Sequence, residues 1–436
     1  MTQIDLLINR IVESAINAVK PSALFENGLI LHGTMLNIFG YSTHLENSRT
    51  VRCVAIGKCA EAMAYEVHRK LGQRVSGVIA TPVIQRRNIP GFEFYETGHP
   101  LPDERSEKAG QRIIDFLSKG DEKDLYMFLI SGGGTSSTFL PVEGVSIENV
   151  QELNRVMMDE GIPVSKINLV RRHLSKLGGG KMAELVRSRE KVSLIISDVV
   201  GDDLISIASG PTIPDTTSPN DAIRFLVETG IAQKISPAVI DALKRKQSTG
   251  SRLLSNYVKV IGSNRDALNA ASFAVKEYGY NSEIFSKEVE GDVSAVAQKL
   301  IEVAMLIESS DGLLRPPAVG LFGGETTVHV KGSGIGGRNQ ELVLWGLYMI
   351  KKRNADEIFD KVSIFSFGTD GKDGNSSAAG AWFNAGTPIM KKVSVQDIEE
   401  YLNNNDSNTF FRKYGGLIET GPTDTNVMDI FGVIVE

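Results

Sequence analysis

The sequence is short of the residues that build disulfide scaffolds and metal clusters. It has two cysteines, Cys53 and Cys59, in 436 residues, too few for a stapled framework and at a spacing that matches no common zinc pattern. A reducing, cytoplasmic setting is the simplest expectation. The six histidines form no HxH or HExxH pair, which excludes the helical zinc-protease arrangement. No apolar run reaches the roughly 18 residues of a membrane span. The first helix-like stretch breaks its apolar positions with Asp5, Arg10 and Glu13, unlike a secretory leader. Positive charge is not in excess: Lys and Arg total 47 against 53 Asp and Glu, a net charge of -6, so bulk electrostatics argue against a nucleic-acid partner. A GxxxxGK[ST] loop is also missing, which excludes a Walker A site.

The composition is otherwise that of a folded protein, with 42% hydrophobic and 23% charged residues. Glycine stands out at 43 residues, and the glycines are clustered. Ile4, Leu7, Ile8, Ile11, Val12, Ala15, Ile16 and Val19 recur at helical spacing, with Pro21 ending that helix. Buried strands are expected at 51–57, 75–82, 124–134 and 191–203, with helices at 60–71 and 104–117 and a broken helical stretch at 167–187. A polar stretch at 244–256 reads as a linker. Beyond it the pattern restarts with strands at 257–262 and 281–285, helices at 264–278 and 293–308, a hairpin or two short strands at 318–332, a helix at 338–352 and a strand at 361–374. Alternating strands and helices predict α/β architecture with a parallel sheet. The expected domains are 1–250 and 251–436. Ligands in such sheets bind at the carboxyl ends of the strands.

Five glycine- or carboxylate-rich segments fall at those ends. Ser131-Gly132-Gly133-Gly134-Thr135-Ser136-Ser137 follows a buried strand and can cradle a phosphate or carboxylate through backbone N–H groups; the alternative is a plain tight turn. Gly57-Lys58 ends the first strand and offers a compact positive charge to an anion. Asp198, Asp202 and Asp203 close another strand. Carboxylates there suit Mg²⁺ or a hydroxyl proton, although at least one is expected to cap a helix. Gly332, Gly334 and Gly337 spell GxGxxG before Arg338. Lys351, Lys352 and Arg353 stand where a ribose-binding acid belongs, which favours a generic anion loop over a dinucleotide site. Asp370 and Asp373 share a glycine loop that suits Mg²⁺, a sugar hydroxyl or a simple Asx turn. His99, in Gly98-His99-Pro100, is the one histidine in a loop of this character.

Taken in order, AIGKCAEAM (55–63), TGHPLPD (97–103), SGGGTSS (131–137), KLGGGKMAE (176–184), DVVGDDLISIASGPT (198–212), GGETTVHVKGSGIGGRNQE (323–341) and GTDGKDGNSSAAGA (368–381) resemble the two-domain glycerate kinases with a C-terminal MOFRL domain, over essentially the whole chain. The resemblance implies a Rossmann-like N-terminal domain with a parallel sheet, a MOFRL domain with a mixed sheet, and an interdomain cleft. It implies ATP- and Mg²⁺-dependent phosphorylation of D-glycerate to 2-phosphoglycerate in a non-phosphorylated branch of sugar breakdown. A cytoplasmic protein without a nucleic-acid or membrane partner is expected, with a homodimer as the commonest default for its assembly. The family's active-site lysine falls on Lys58 and its arginine on Arg338. The expected catalytic set is Lys58, Arg338 and Asp198. Lys58, Ser131, Gly132 and Arg338 are expected to hold substrate. Gly133, Gly134, Thr135, Ser136, Gly334 and Gly337 are expected to hold the nucleotide, and Asp198 and Asp202 the metal. Two positions depart from the family's pattern: Ser377 replaces a carboxylate and Asp424 a glycine. The alternatives are an NAD(P)H-dependent hydroxypyruvate reductase, drawn from the GxGxxG match, and a non-catalytic sugar-acid or nucleotide sensor.

Overall fold

A computed structural model describes residues 2–46, 49–245, 256–309, 314–353 and 359–436. The linker expected at 244–256 lies mostly outside them. The chain divides into two compact units, one of residues 21–261 and one of residues 1–20 with 262–436. This differs from a division near residue 250.

In the unit 21–261, a small antiparallel sheet comprises β1 (Leu29–His32), β2 (Met35–Ile38) and β3 (Tyr41–His44). The main sheet contains β4 (Val51–Ile56), β5 (Val75–Thr81), β6 (Phe92–Glu96), β7 (Leu125–Ser131), β8 (Lys191–Ile196) and β9 (Asn256–Gly262), in the order β6-β5-β4-β7-β8-β9. The pairs β6–β5, β5–β4, β4–β7 and β7–β8 are parallel. The near-continuous apolar runs of β4, β7 and β8 are what a sheet covered on both faces requires. Val54, Ile56, Phe128 and Ile130 pack with Ile113 and Phe116 of the helix Glu104–Ser118, which starts at Asp103, its expected N-cap. A second cluster joins Phe139, Leu153, Val170, Leu226 and Val239 among the helices of residues 147–244. The strand order is that of a doubly wound sheet, and its direction reverses between β4 and β7.

In the other unit, β10 (Asn281–Asp292), β11 (Ala318–Thr327), β12 (Val362–Gly368), β13 (Gly380–Asn384), β14 (Leu417–Ile418) and β15 (Asp429–Val435) form a mixed sheet ordered β10-β11-β15-β12-β13-β14. Only β10–β11 is parallel. β10 is far longer than the strand expected at 281–285. In place of the hairpin or two short strands expected at 318–332 there is one strand, with a loop leading to the helix Arg338–Lys352. The chain's last strand, β15, takes a central place because all seven of its residues are buried.

The helix Gln3–Ala18 buries Ile4, Leu7, Ile8, Ile11, Val12, Ala15 and Ile16 against the helix Asn264–Glu277. Thr425 Oγ1 donates to Val19 O at 2.7 Å, tying the chain's start to its last loop. Pro21 does not close this helix; it opens the next, Pro21–Gly28, from the first-turn position where its missing N–H costs nothing.

Candidate active site

The strand order reverses between β4 and β7, and ligands of doubly wound sheets bind outside the carboxyl ends of the strands at such a point; the first two predicted motifs meet there. Ile56 pairs with Ile130, which sets Gly57 beside Ser131. Gly57 has φ +99°, and a Cβ on it would come within 2.4 Å of Ser131 O. Only glycine fits that conformation and that approach. Lys58 N–H then donates to Gly132 O at 2.9 Å. Ser131 Oγ accepts from Cys59 N–H at 3.0 Å and donates to Ile56 O at 3.2 Å. Ser131 is fully buried. It staples the two strand ends together, so the expectation that it holds substrate is corrected.

The glycines that follow let side chains approach the backbone. A Cβ on Gly132 would lie 1.5 Å from Asp198 Oδ2, so the absent side chain leaves room for that carboxylate. Gly133 is left-handed, and its missing Cβ faces the His99 ring at 3.0 Å and the Lys58 stem at 3.5 Å. Lys58, Asp198 and His99 therefore gather around one three-residue turn. Asp198 and Lys58 are partly buried and His99 is exposed.

The hydroxyls of this loop do different work from that expected. Ser136 and Ser137 both donate to Gly133 O at 3.0 Å, closing the short turn Gly134–Ser137. Ser136 is thus a local brace, not a nucleotide contact. Thr135 Oγ1 lies 2.9 Å from Ser209 Oγ. Ser209 belongs to three consecutive left-handed residues, Ala208, Ser209 and Gly210, with φ of 51°, 58° and 54°. Such a run costs roughly 1–2 kcal/mol for each non-glycine residue, and backbone strain of this kind clusters at functional sites.

Among the described residues, no group of three or more His, Cys, Asp or Glu could hold a metal ion. A single carboxylate at the turn still fits Mg²⁺, which takes one or two carboxylates and completes its shell with water and substrate phosphates. Asp198 is the residue placed to provide it. Asp202 is partly buried in the adjoining 3-10 turn with φ +55°. Asp203 accepts from Ser206 Oγ at 2.5 Å, a side-chain bond within the turn that does not cap a helix.

Arg338 lies in the other unit, at the start of the helix Arg338–Lys352. Its Nε and Nη2 grip Asp429, the latter at 3.0 Å from Oδ1, and its Nη1 lies 2.7 Å from Glu325 Oε1. Burial opposes the Arg338 charge, but Asp429 and then Glu325 outweigh it and raise its pKa. Asn264 Nδ2 fixes the backbone here by donating to Val427 O and Asp429 O, both at 2.9 Å. Asp373 is buried beneath the same helix and accepts from Asn339 N and Gln340 N at 3.1 and 2.9 Å. It is the cap that Gly337, lacking a side chain, does not supply. Burial pushes the Asp373 carboxyl up to about 6, against the bonds from Gln340 and Asn339. Asp370 takes the simpler role, accepting from Lys372 N–H at 3.1 Å in an Asx turn.

The GxGxxG loop is already satisfied by the protein. Gly332 N–H donates to Asn405 Oδ1, Ser333 N–H to Asn404 Oδ1, Gly334 N–H to Asn404 O, Ile335 N–H to Asp406 Oδ1 and Gly336 N–H to Asn375 Oδ1. A Cβ on Gly337 would meet Asp373 Oδ1 at 2.3 Å. The helix N-terminus that a pyrophosphate would need holds a carboxylate instead. Gly334 and Gly337 are thus packing glycines, and the dinucleotide reading loses its one support.

Ser377 is exposed, while its neighbour Ser376 is buried and accepts from Gln340 Nε2 at 2.8 Å. Asp424 has φ +69°, a backbone state that glycine adopts without cost, in keeping with the glycine that the resemblance leads one to expect there. A separate cavity of about 430 Å³, lined by Trp382, Tyr414, Thr2 and Glu436 among others, contains none of the predicted site residues.

Residues 7–244 match the family described as a domain of unknown function (DUF4147), and residues 318–429 match the MOFRL family. The chain belongs to the two-domain MOFRL glycerate kinase family. The D-glycerate 2-kinase of Thermotoga maritima is 38% identical over 394 residues, covering 89% of this chain and 92% of that one. The glycerate 2-kinase of Pyrococcus horikoshii is 32% identical over 98% of this chain and 96% of its own length. The crystal structure of a glycerate kinase from Thermotoga maritima superposes with a TM-score of 0.84 at 35% identity, covering 99% of both chains. The DUF4147 match contains Lys58, the glycine turn and Asp198, and the MOFRL match contains Arg338, Asp373 and Asp429.

Asp429 carried no signal in the sequence because it begins a strand, where no ligand is sought. It reaches the same sheet end as the close of β12 only because β15 runs antiparallel to it.

Proposed function

We propose that this chain phosphorylates D-glycerate at its 2-hydroxyl, with Mg²⁺-ATP as the phosphoryl donor. The observation that carries the reading is the convergence of Lys58, Asp198 and the Gly132–Gly134 turn at the switch point of a doubly wound sheet, in a chain whose relatives are named glycerate 2-kinases. Phosphoryl transfer passes through a loose transition state, so the protein's work is to position groups and neutralise charge. Lys58 neutralises charge on the moving phosphoryl group. The glycine turn holds oxyanions against backbone N–H groups. Asp198 orients the attacking hydroxyl and takes its proton, or holds Mg²⁺, with Asp202 as the second carboxylate. The magnesium nucleotide supplies the phosphoryl group and an in-line leaving group. Arg338, paired with Asp429 and Glu325, stays in the proposed catalytic set. The protein acts in the cytoplasm and needs no nucleic-acid or membrane partner.

The test is one reaction. Purified protein is mixed with D-glycerate and Mg²⁺-ATP, ADP release is followed, and the product is offered directly to enolase. Immediate enolase turnover is the expected result. Turnover that first needs phosphoglycerate mutase would move the phosphoryl to the 3-hydroxyl. No ADP release across metals and pH would overturn the kinase reading.

A further inference from the structure

The helix Val164–Leu174 carries two successive arginines that differ in their partners. Arg172 Nε lies 2.8 Å from Asp215 Oδ2. Arg171 donates its Nε to Asn154 Oδ1 at 2.8 Å, and among the described residues it forms no ion pair. Asn154 is fully buried, and its Nδ2 finds no acceptor. Burial alone acts on the Arg171 charge, lowering its pKa to about 10. A guanidinium stripped of water without a counter-charge is an expensive arrangement unless a ligand provides one. Arg171 remains partly exposed, so an anion can reach it.

Both residues lie one helical turn from groups tied to the glycine turn, a spacing of about 5–6 Å between Cβ atoms. One turn before Arg171, Asn168 donates to Ser206 O at 3.1 Å and accepts from Ser209 Oγ at 3.4 Å. Ser209 is the partner of Thr135. One turn before Asn154, Gln151 donates to Pro102 O at 2.8 Å, in the loop whose His99 covers Gly133. The two connections arrive at Gly133–Thr135 from different helices.

We propose that Arg171, held by Asn154, is the subsite for the carboxylate of the hydroxy-acid substrate. This rests on the kinase reading of the same site. Asn154 fixes the plane of the guanidinium through Nε, which leaves the two Nη groups as the fork that grips a carboxylate with parallel bonds. It also brings a donor in need of an acceptor to the same place. Arg338, expected from the sequence to bind this carboxylate, is already engaged by Asp429 and Glu325.

The experiment uses the full chain with Arg171→Leu and Asn154→Asp, the second supplying an internal carboxylate to the guanidinium. Loss of a bidentate charged contact is expected to raise KM for D-glycerate about 100-fold in Arg171→Leu while KM for ATP stays within about threefold. Asn154→Asp is expected to remain folded, to melt no lower than the parent, and to raise KM for D-glycerate as well. The rise in melting temperature that D-glycerate gives the parent should vanish in both variants. Unchanged KM and an unchanged melting shift in Arg171→Leu would overturn the assignment. So would a rise confined to KM for ATP, which would move Arg171 to the nucleotide phosphates. If the parent releases no ADP, the kinase reading fails separately. Melting shifts with small hydroxy acids against their amides then decide the subsite: loss of the preference for the acid in Arg171→Leu supports it, and a retained preference refutes it.

Discussion

Lys58 and Arg338 are both cations at element ends, yet their surroundings give them different duties. Lys58 follows a strand end in which the glycine turn takes its N–H and leaves the side chain over Gly133. Lys58→Ala is expected to lower turnover at least about tenfold, with the melting temperature within a few degrees of the parent, since a partly buried surface cation contributes little to stability. Near-normal turnover would remove it from the mechanism. Arg338 neutralises Asp429, which is 1% exposed. Removing it strands a buried carboxylate, at a cost of about 3–5 kcal/mol. Arg338→Ala should therefore unfold at markedly lower denaturant as well as lose turnover. Equal denaturation midpoints for variant and parent would show the pair to be functional only. Asp373 gives a third handle. Its folded pKa, about 6, lies above the ordinary carboxyl value, so the folded state binds more protons than the unfolded state between those values. The stability it contributes is present below its unfolded pKa and is lost as pH rises through about 6. Asp373→Asn should flatten that part of the stability profile in unfolding titrations from pH 4 to 7, and an unaltered slope would assign it elsewhere.

At the scale of elements, the two glycine-rich loops look alike as strings and differ as structures. The turn after β7 uses absent side chains to admit Asp198, His99 and Lys58. The loop before the helix Arg338–Lys352 uses them to pack against Asn404, Asp406 and Asp373. A substitution separates the two uses. Gly132→Ala would push a methyl into Asp198 Oδ2, and the displaced carboxylate should reduce turnover by about 100-fold or more, with far-UV circular dichroism unchanged. Full activity in Gly132→Ala would show that the position of Asp198 is immaterial to the reaction. The left-handed run at Ala208–Gly210 belongs to the same element-level logic: it turns Ser209 toward Thr135, and thence toward Asn168, linking the turn to the helix that carries Arg171.

At the scale of the whole molecule, the chain's first helix joins its last 175 residues in one unit while residues 21–261 form the other. Periodicity in the sequence predicted the first helix residue by residue, because burial on one face repeats every three to four positions. It predicted β4, β5, β7 and β8 for a related reason: strands covered on both faces must be apolar throughout. Lys58 and the turn after β7 were legible because strand ends in such sheets are where ligands bind. What the sequence by itself determined was thus everything that depends on local pattern: the α/β class, the main elements, and the strand-end residues of the first unit. Only the tertiary structure decided which unit receives the first helix, which glycine loop is packing and which admits side chains, that Asp373 caps a helix begun by a glycine, and that Arg338 is neutralised while Arg171 is not. Each of these is a pairing between residues distant in the chain. A hydrogen bond or a counter-charge supplied from another element leaves no periodic trace in the sequence around either partner.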